Sequence, residues 1–224
     1  MALTRPEEAV KVLENVVREN SGNFGMIARA LEHFVATGNR AKDIAQVLST
    51  RMDGKGENFQ NELEIAGYFH DVGRCFAKDK KDHAFHEIYG ANWFEQNAVA
   101  LGITDSQEQA NRMAQYLRPH FIVKEQFEMP EYDVWKKGLE GTDVNLLLPK
   151  SWNELVIIYA DLTNNGGKII SFEERVADIK KRDKETGNMR LKALETAETR
   201  LLKYKNDVEL ALKQGVCNGG YLLK

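Results

Sequence analysis

His70 and Asp71 stand together at the end of the apolar run Ile65-Ala66-Gly67-Tyr68-Phe69. Asp161 closes a second such run, Leu155-Val156-Ile157-Ile158-Tyr159-Ala160. A carboxylate pressed against hydrocarbon is costly unless a cation pairs with it. Taken singly, either acid reads as a helix-end ion pair, and the His-Asp dipeptide as a chance neighbour pair. Taken together, two acids and an imidazole set into apolar helices fit a first-row divalent ion, which mixed imidazole and carboxylate ligation suits. The other histidines lie close by in the sequence: His33, then His83 and His86, then His120 after Pro119. All five fall between residues 33 and 120, and the final 104 residues contain none. Each alone reads as a surface or hydrogen-bonded core histidine; their concentration is what calls for a ligand role.

Other chemistries lack their signatures. Gly166-Gly167-Lys168 has no upstream glycine for a phosphate-binding loop, and His86-Glu87 is followed by Gly90 where a zinc-protease helix needs its second histidine. No nucleophile elbow and no dinucleotide fingerprint occurs. Cys75 has no neighbour that marks it as reactive and reads as a small packed side chain. Lys+Arg number 31 and Asp+Glu 34, a net charge of −3, which argues against a dedicated nucleic-acid binder. The longest apolar run is far below the ~18–20 residues of a membrane span, and the start MALTRPEEAVKVLENV lacks the form of a signal peptide. Two cysteines without a CxxC fit a reducing compartment, so a cytoplasmic protein without a membrane partner is expected.

The elements that must position these residues read as almost wholly helical. With 224 residues and 42% apolar content, one generous domain is expected, divided as an N-terminal helix over 1–24, a core over 25–170 and a C-terminal helical extension over 171–224. Thr4-x-x-Glu7 reads as a capping box with Pro6 in the first turn. A second helical stretch starts near Phe24 and is expected to break at Gly38-Asn39. Residues 50–57 read as a loop, and Asn61 to Val72 as a helix carrying His70 on its apolar face. Further helices fit 84–100, 105–118 and 151–163. Residues 128–150, with Pro130, Gly138, Gly141 and Pro149, read as a long irregular excursion of the kind that forms lids. From Phe172 to about Lys213 a charged helical region is nicked at Gly187-Asn188. Its stripe of Leu194, Ala197, Leu201, Tyr204, Val208 and Ala211 suits packing on its own domain, with a homodimer seam as the alternative.

With these residues in view, the chain resembles the HD-domain superfamily of metal-dependent phosphohydrolases, in its two-metal form. The matching text is HFVATGNRAKDIA, AGYFHDVGR, HEIYGANWF, RMAQYLRPHF and LVIIYADLT, five elements in the family's order over about residues 28–165. The resemblance implies an all-α fold, an HD-domain helical bundle with a C-terminal amphipathic helical extension. It implies His33, His70, Asp71, His86, His120 and Asp161 as ligands to divalent ions, two in number, of Fe, Mn or Mg, with Zn as a further option. His86 is preferred to His83 because Gly90-Ala91 follows it at the family spacing; His83 is left as a group that supports a ligand from behind or as the leaving-group acid.

By the same resemblance Asp71 bridges the ions, a metal-activated hydroxide attacks phosphorus, and Arg74 and Lys78 bind outer phosphate oxygens. Lys80 and Lys81 read as a solvated loop. Arg74 departs from the lysine of many members but adds a planar fork suited to phosphate. Nothing after His120 matches the GYP signature of cyclic-dinucleotide phosphodiesterases. A small phosphorylated substrate, a nucleotide, is implied, and the order of elements looks closest to hydrolases of dinucleoside polyphosphates. The run SFEERVADIKKRD also resembles a stretch that follows the closing aspartate in some HD proteins, so Arg175 is expected either to reach the pocket or, the preferred reading, to pair with Asp178 or Glu174 on the surface. Two alternatives keep the same ligands: a di-iron oxygenase, and a regulatory module that only binds a nucleotide.

Overall fold

The computed structural model describes residues 5–20, 27–49, 57–77, 84–136 and 138–214. The expected all-α class holds: apart from a two-residue hairpin, the regular elements among these residues are helices. In chain order they are α1 (Pro6–Glu19), α2 (Ile27–Ser49), α3 (Glu57–Phe69), α4 (His86–Asn97), α5 (Gln107–Leu117), α6 (Val123–Glu128), α7 (Trp152–Leu162), α8 (Phe172–Thr186) and α9 (Arg190–Gln214). β1 (Asn164–Asn165) pairs antiparallel with β2 (Lys168–Ile169) between α7 and α8.

α2 and α3 form the central pair, and they correct one expectation. Gly38 does not break α2, which runs unbroken for 23 residues. The glycine instead admits α3: a Cβ on Gly67 would lie 2.6 Å from Gly38 Cα, and a Cβ on Gly38 would lie 2.1 Å from the Tyr68 ring. Two helix backbones this close leave no room for a side chain at either position. Helix propensity weighs against glycine by only about 1 kcal/mol, so close packing outweighs it.

A second correction concerns α3. It ends at Phe69, with His70 and Asp71 in the turn beyond it and a 3₁₀ turn over Val72–Phe76. The polar pair thus sits at the helix end rather than along it, where the chain changes direction into the site. A third is at the N-terminus: Thr4 lies outside the described residues, and α1 is entered from Arg5, which makes no side-chain cap.

α1 lays Ala9, Leu13, Val16 and Val17 onto α2 and α3. α7 is buried on every side, from Trp152 to Leu162, and its start is held by a capping box between Ser151 and Glu154. The same device opens α8 at Ser171 and Glu174, and Gly187 in the left-handed conformation (φ 62°) ends it. The nick expected at Gly187-Asn188 is therefore the boundary between α8 and α9. The apolar stripe of α9 is spent inside the chain, with Leu194, Ala197, Leu201, Tyr204, Val208 and Ala211 all buried. α9 packs on α2, α6, α7 and α8. The excursion after α6 carries 3₁₀ turns at Pro130–Trp135 and Val144–Leu147. Among the described residues no helix is long and apolar enough to cross a membrane.

Candidate metal centre

Five separate parts of the chain converge on one cleft of about 650 Å³. α2 contributes His33, the turn after α3 contributes His70 and Asp71, and α4 begins with His86. The turn after α5 contributes His120, and the last turn of α7 contributes Asp161. All six predicted donors come together. Of the other predicted site residues, Arg74 lines the same cleft, whereas Lys78 and His83 lie outside the described residues, as do Lys80 and Lys81.

His33 Nε2 is 3.0 Å from Asp161 Oδ1 and 3.7 Å from Asp71 Oδ2. His70 Nε2 is 3.6 Å from Asp71 Oδ2 and 3.7 Å from Asp161 Oδ1. His120 Nε2 is 3.3 Å from Asp161 Oδ2 and 3.9 Å from Asp71 Oδ1. Two groups of donors, His33-His70-Asp161 and His70-Asp71-His120, each have atoms within 4.8 Å of one another. Because both groups share His70, they form one compact cluster. His86 belongs to neither group, although its Nε2 lies 2.7 Å from Asp71 Oδ1.

The local chemistry suits a cation. His70 is fully buried, and its Nδ1–H donates to the Gly67 carbonyl at 2.7 Å. That bond fixes the tautomer, since a carbonyl only accepts, and leaves the Nε2 lone pair facing the two carboxylates. His70 Nε2 is buried without a hydrogen-bond partner, 3.7 Å from Asp161 Oδ1. Buried polar atoms are rarely left so, because each costs about 1–3 kcal/mol. A divalent ion would satisfy the His70 nitrogen, and the donor set of histidine and aspartate fits such an ion.

The electrostatics follow from burial and one arginine. Burial alone would raise the Asp71 carboxyl; the Arg74 guanidinium, with Nε 2.6 Å from Asp71 Oδ2, and then His70 and His86 hold it well below the usual carboxylate range. Burial likewise opposes ionisation of Asp161, and His120, His33 and His70 overcome it. Burial, aided by Arg74, lowers His86 to about 4, which keeps the ring neutral near pH 7. Cys75, packed against this turn, is driven up to about 12 by burial, which fits the expectation of an unreactive thiol.

Several contributors escaped sequence reasoning. Glu87 is buried beside the donors, with Oε2 3.3 Å from His86 Nδ1, and burial pushes its carboxyl up to about 8. Carboxylates on the second ring nitrogen commonly orient metal-binding histidines, and its adjacency to His86 was the only available signal. Asn164 donates to Thr37 Oγ1 at 3.0 Å and to the His33 carbonyl at 3.3 Å, fixing α2 against the end of α7. Arg200 donates to the Phe121 carbonyl at 2.9 Å, and Phe121 holds a left-handed φ of 51°. Neither partnership has a signature at its sequence distance. Arg175 lines the cleft, and its Nη1 is 3.8 Å from Asp178, so the expected surface pairing is loose.

The family model described as the HD domain matches residues 30–142. This chain belongs to the HD domain family. The match covers His33, the His70-Asp71 pair, His86 and His120, and ends before Asp161, α8 and α9. Members of the HD domain family are mostly metal-dependent phosphohydrolases. No curated protein and no solved structure matches the chain.

Proposed function

We propose that this HD protein is a metal-dependent phosphohydrolase that cleaves a phosphate ester or anhydride of a nucleotide-like substrate. The observation that carries the reading is the buried cluster itself: donors from five elements meet around the unpartnered His70 nitrogen, with an arginine at the rim. His33, His70, His86, His120, Asp71 and Asp161 would hold two divalent ions between them. Bound there, such ions lower the pKa of a water to about 7 and offset charge on a phosphoryl oxygen.

The chain's own residues then have defined tasks. Asp71 is kept ionised by Arg74, whose Nε meets Oδ2, while His86 Nε2 meets Oδ1. Gly67 aims His70 by accepting from its Nδ1–H. Arg74 is part exposed to the cleft and presents further N–H donors to a phosphoryl group, in the planar arrangement that matches phosphate oxygens. Phe34, Phe121 and Ile122 give the cleft an apolar flank against which a base or sugar can lie.

The test joins metal analysis to activity. The purified protein is expected to hold Mn, Fe, Zn or Mg, and to release phosphate from members of a panel of nucleotides, dinucleoside polyphosphates and sugar phosphates. His70→Ala and Asp71→Asn are each expected to lose bound metal and at least about 10²-fold in turnover, the scale on which a key electrostatic group acts. Turnover that requires dioxygen would overturn the reading in favour of an oxygenase. Ligand binding unaffected by both substitutions would overturn it in favour of a regulatory module.

A further inference from the structure

We propose that the cleft wall built from α8 and the start of α9 is a second phosphate subsite, so that the substrate carries another phosphoryl group at its far end. The inference rests on the phosphohydrolase reading above and extends it to substrate class.

The wall lies beyond the residues matched by the family model, and its composition is one-sided. Arg175, Arg182 and Arg190 line the cleft from α8 and α9, and these two helices contribute no carboxylate to its lining. Of the acids that do line it, Asp71 and Asp161 belong to the donor cluster, while Glu32 and Glu87 come from α2 and α4. One phosphoryl group at the metal centre already has Arg74 within reach, so three further guanidiniums exceed its needs.

The arginines are held in a way that leaves donors free for a ligand. Arg190 engages Asp183 through Nε and Nη2, at 2.9 and 2.8 Å, and Asp183 is itself buried. That two-point grip braces the guanidinium and leaves its Nη1 outside the pair. Arg182 Nη2 lies 3.0 Å from Asp178. Arg175 is the most telling: its side chain is only 13% exposed, Nη1 donates to Asn165 Oδ1 at 3.3 Å, and Nε is buried with no hydrogen-bond partner. Ordinary charge pairs along a helix surface contribute about 0.3–0.5 kcal/mol and are solvated. They do not account for a buried guanidinium N–H left open at a cleft wall, where an anionic oxygen is the fitting acceptor.

The size of the cleft agrees. At about 650 Å³ it lies in the range of sites for whole small molecules, roughly 300–1,000 Å³, and far exceeds a lone phosphate. Ile179 and Phe34 add apolar surface to the same lining. A ligand with a weakly polar body and an anion at each end matches that distribution.

The test uses non-hydrolysable probes and does not depend on turnover. The full chain, with Mn²⁺ present, is titrated by calorimetry with linear alkyl phosphonates of three to six carbons and with the matching α,ω-bisphosphonates. At the best-fitting length the bisphosphonate is expected to bind at least tenfold tighter than its single-ended partner. Arg175→Gln should bring that ratio to within about twofold of unity, and Arg182→Gln, at a half-exposed site that tolerates substitution, should lower it severalfold. A ratio below about two at every length, or one that both variants leave intact, overturns the subsite. Phosphate release is measured in parallel. Release with a flat ratio sinks the subsite alone; a high ratio that depends on Arg175, with no release from any phosphate ester, sinks the hydrolase reading alone.

Discussion

Burial decides ionisation at the residue scale, and neighbours decide where burial loses. Asp71 and Asp161 stay charged because guanidinium and imidazole groups surround them, whereas Glu87 and Cys75 lack enough compensation and move toward their neutral forms. For Cys75 this has a measurable consequence. A thiol raised to about 12 in the fold is neutral where the unfolded thiol, with a pKa of about 8.5, has begun to ionise. Its contribution to stability is therefore complete below about pH 8 and is lost as pH rises toward 12. Tyr68 and Tyr116, both raised by burial, act in the same direction at higher pH. Urea midpoints at pH 8 and pH 10 should show about 1–2 kcal/mol of destabilisation attributable to Cys75, absent in Cys75→Ala. In a Cys217→Ser background, Cys75 should resist alkylation at pH 8 until the chain unfolds.

Elements meet where the chain permits close approach or demands a clamp. Gly73 and Gly90 repeat the logic of Gly38 and Gly67: a Cβ on Gly73 would lie 1.9 Å from the His86 carbonyl oxygen. This contact seats the start of α4, and with it His86, against the turn that holds Asp71. The turn carrying His120 is secured from outside. Arg200 on α9 meets Glu125 at 2.9 and 2.5 Å while donating to the Phe121 carbonyl. Removing Arg200 leaves Glu125 buried and unpaired beside a residue with positive φ. Arg200→Ala should cost about 3 kcal/mol, the scale for breaking a buried ion pair. It should also weaken metal binding by loosening His120. Arg200→Lys should recover part of the stability but less of the metal affinity, because lysine cannot bridge carboxylate and carbonyl with one planar group. Equal recovery of both would place Arg200 in a purely structural role.

The whole molecule couples folding to the site because the donors come from five parts of the chain that only the folded state brings together. A divalent ion that binds the native cluster and not the unfolded chain stabilises by about 2.7 kcal/mol at a hundredfold excess over its Kd. For a chain of this size that corresponds to a Tm rise of roughly 5–10 °C. Adding Mn²⁺ to chelator-treated protein should produce it, chelator should reverse it, and His70→Ala should show none. A Tm unmoved by every divalent ion would count against the cluster as a metal site.

Much of this was legible in the order of residues alone. Apolar periodicity marked out the helices, and acids set against hydrocarbon at Asp71 and Asp161 called for a compensating charge, because transfer free energies act on a residue wherever its neighbours are known. The ordered His, His-Asp, His, His and Asp spacing carried the family. Three-dimensional proximity was not legible. Gly38 reads as a helix break in a local window, and only the approach of α3 shows it to be a packing contact. Arg175 reads either as reaching the pocket or as a surface partner of Asp178 or Glu174, and only the fold places it on the cleft wall with its Nε open. Glu125 and Arg200 lie 75 residues apart, so no local pattern joins them. The sequence by itself determined which histidines and acids could bind a metal and in what order they stand, since that depends on short-range chemistry, but not that His70, Asp71 and His120 sit in turns beyond their helices. The tertiary structure alone decided which arginines face the same cleft, which buried donors stay open and what holds His120, since those depend on packing between distant segments.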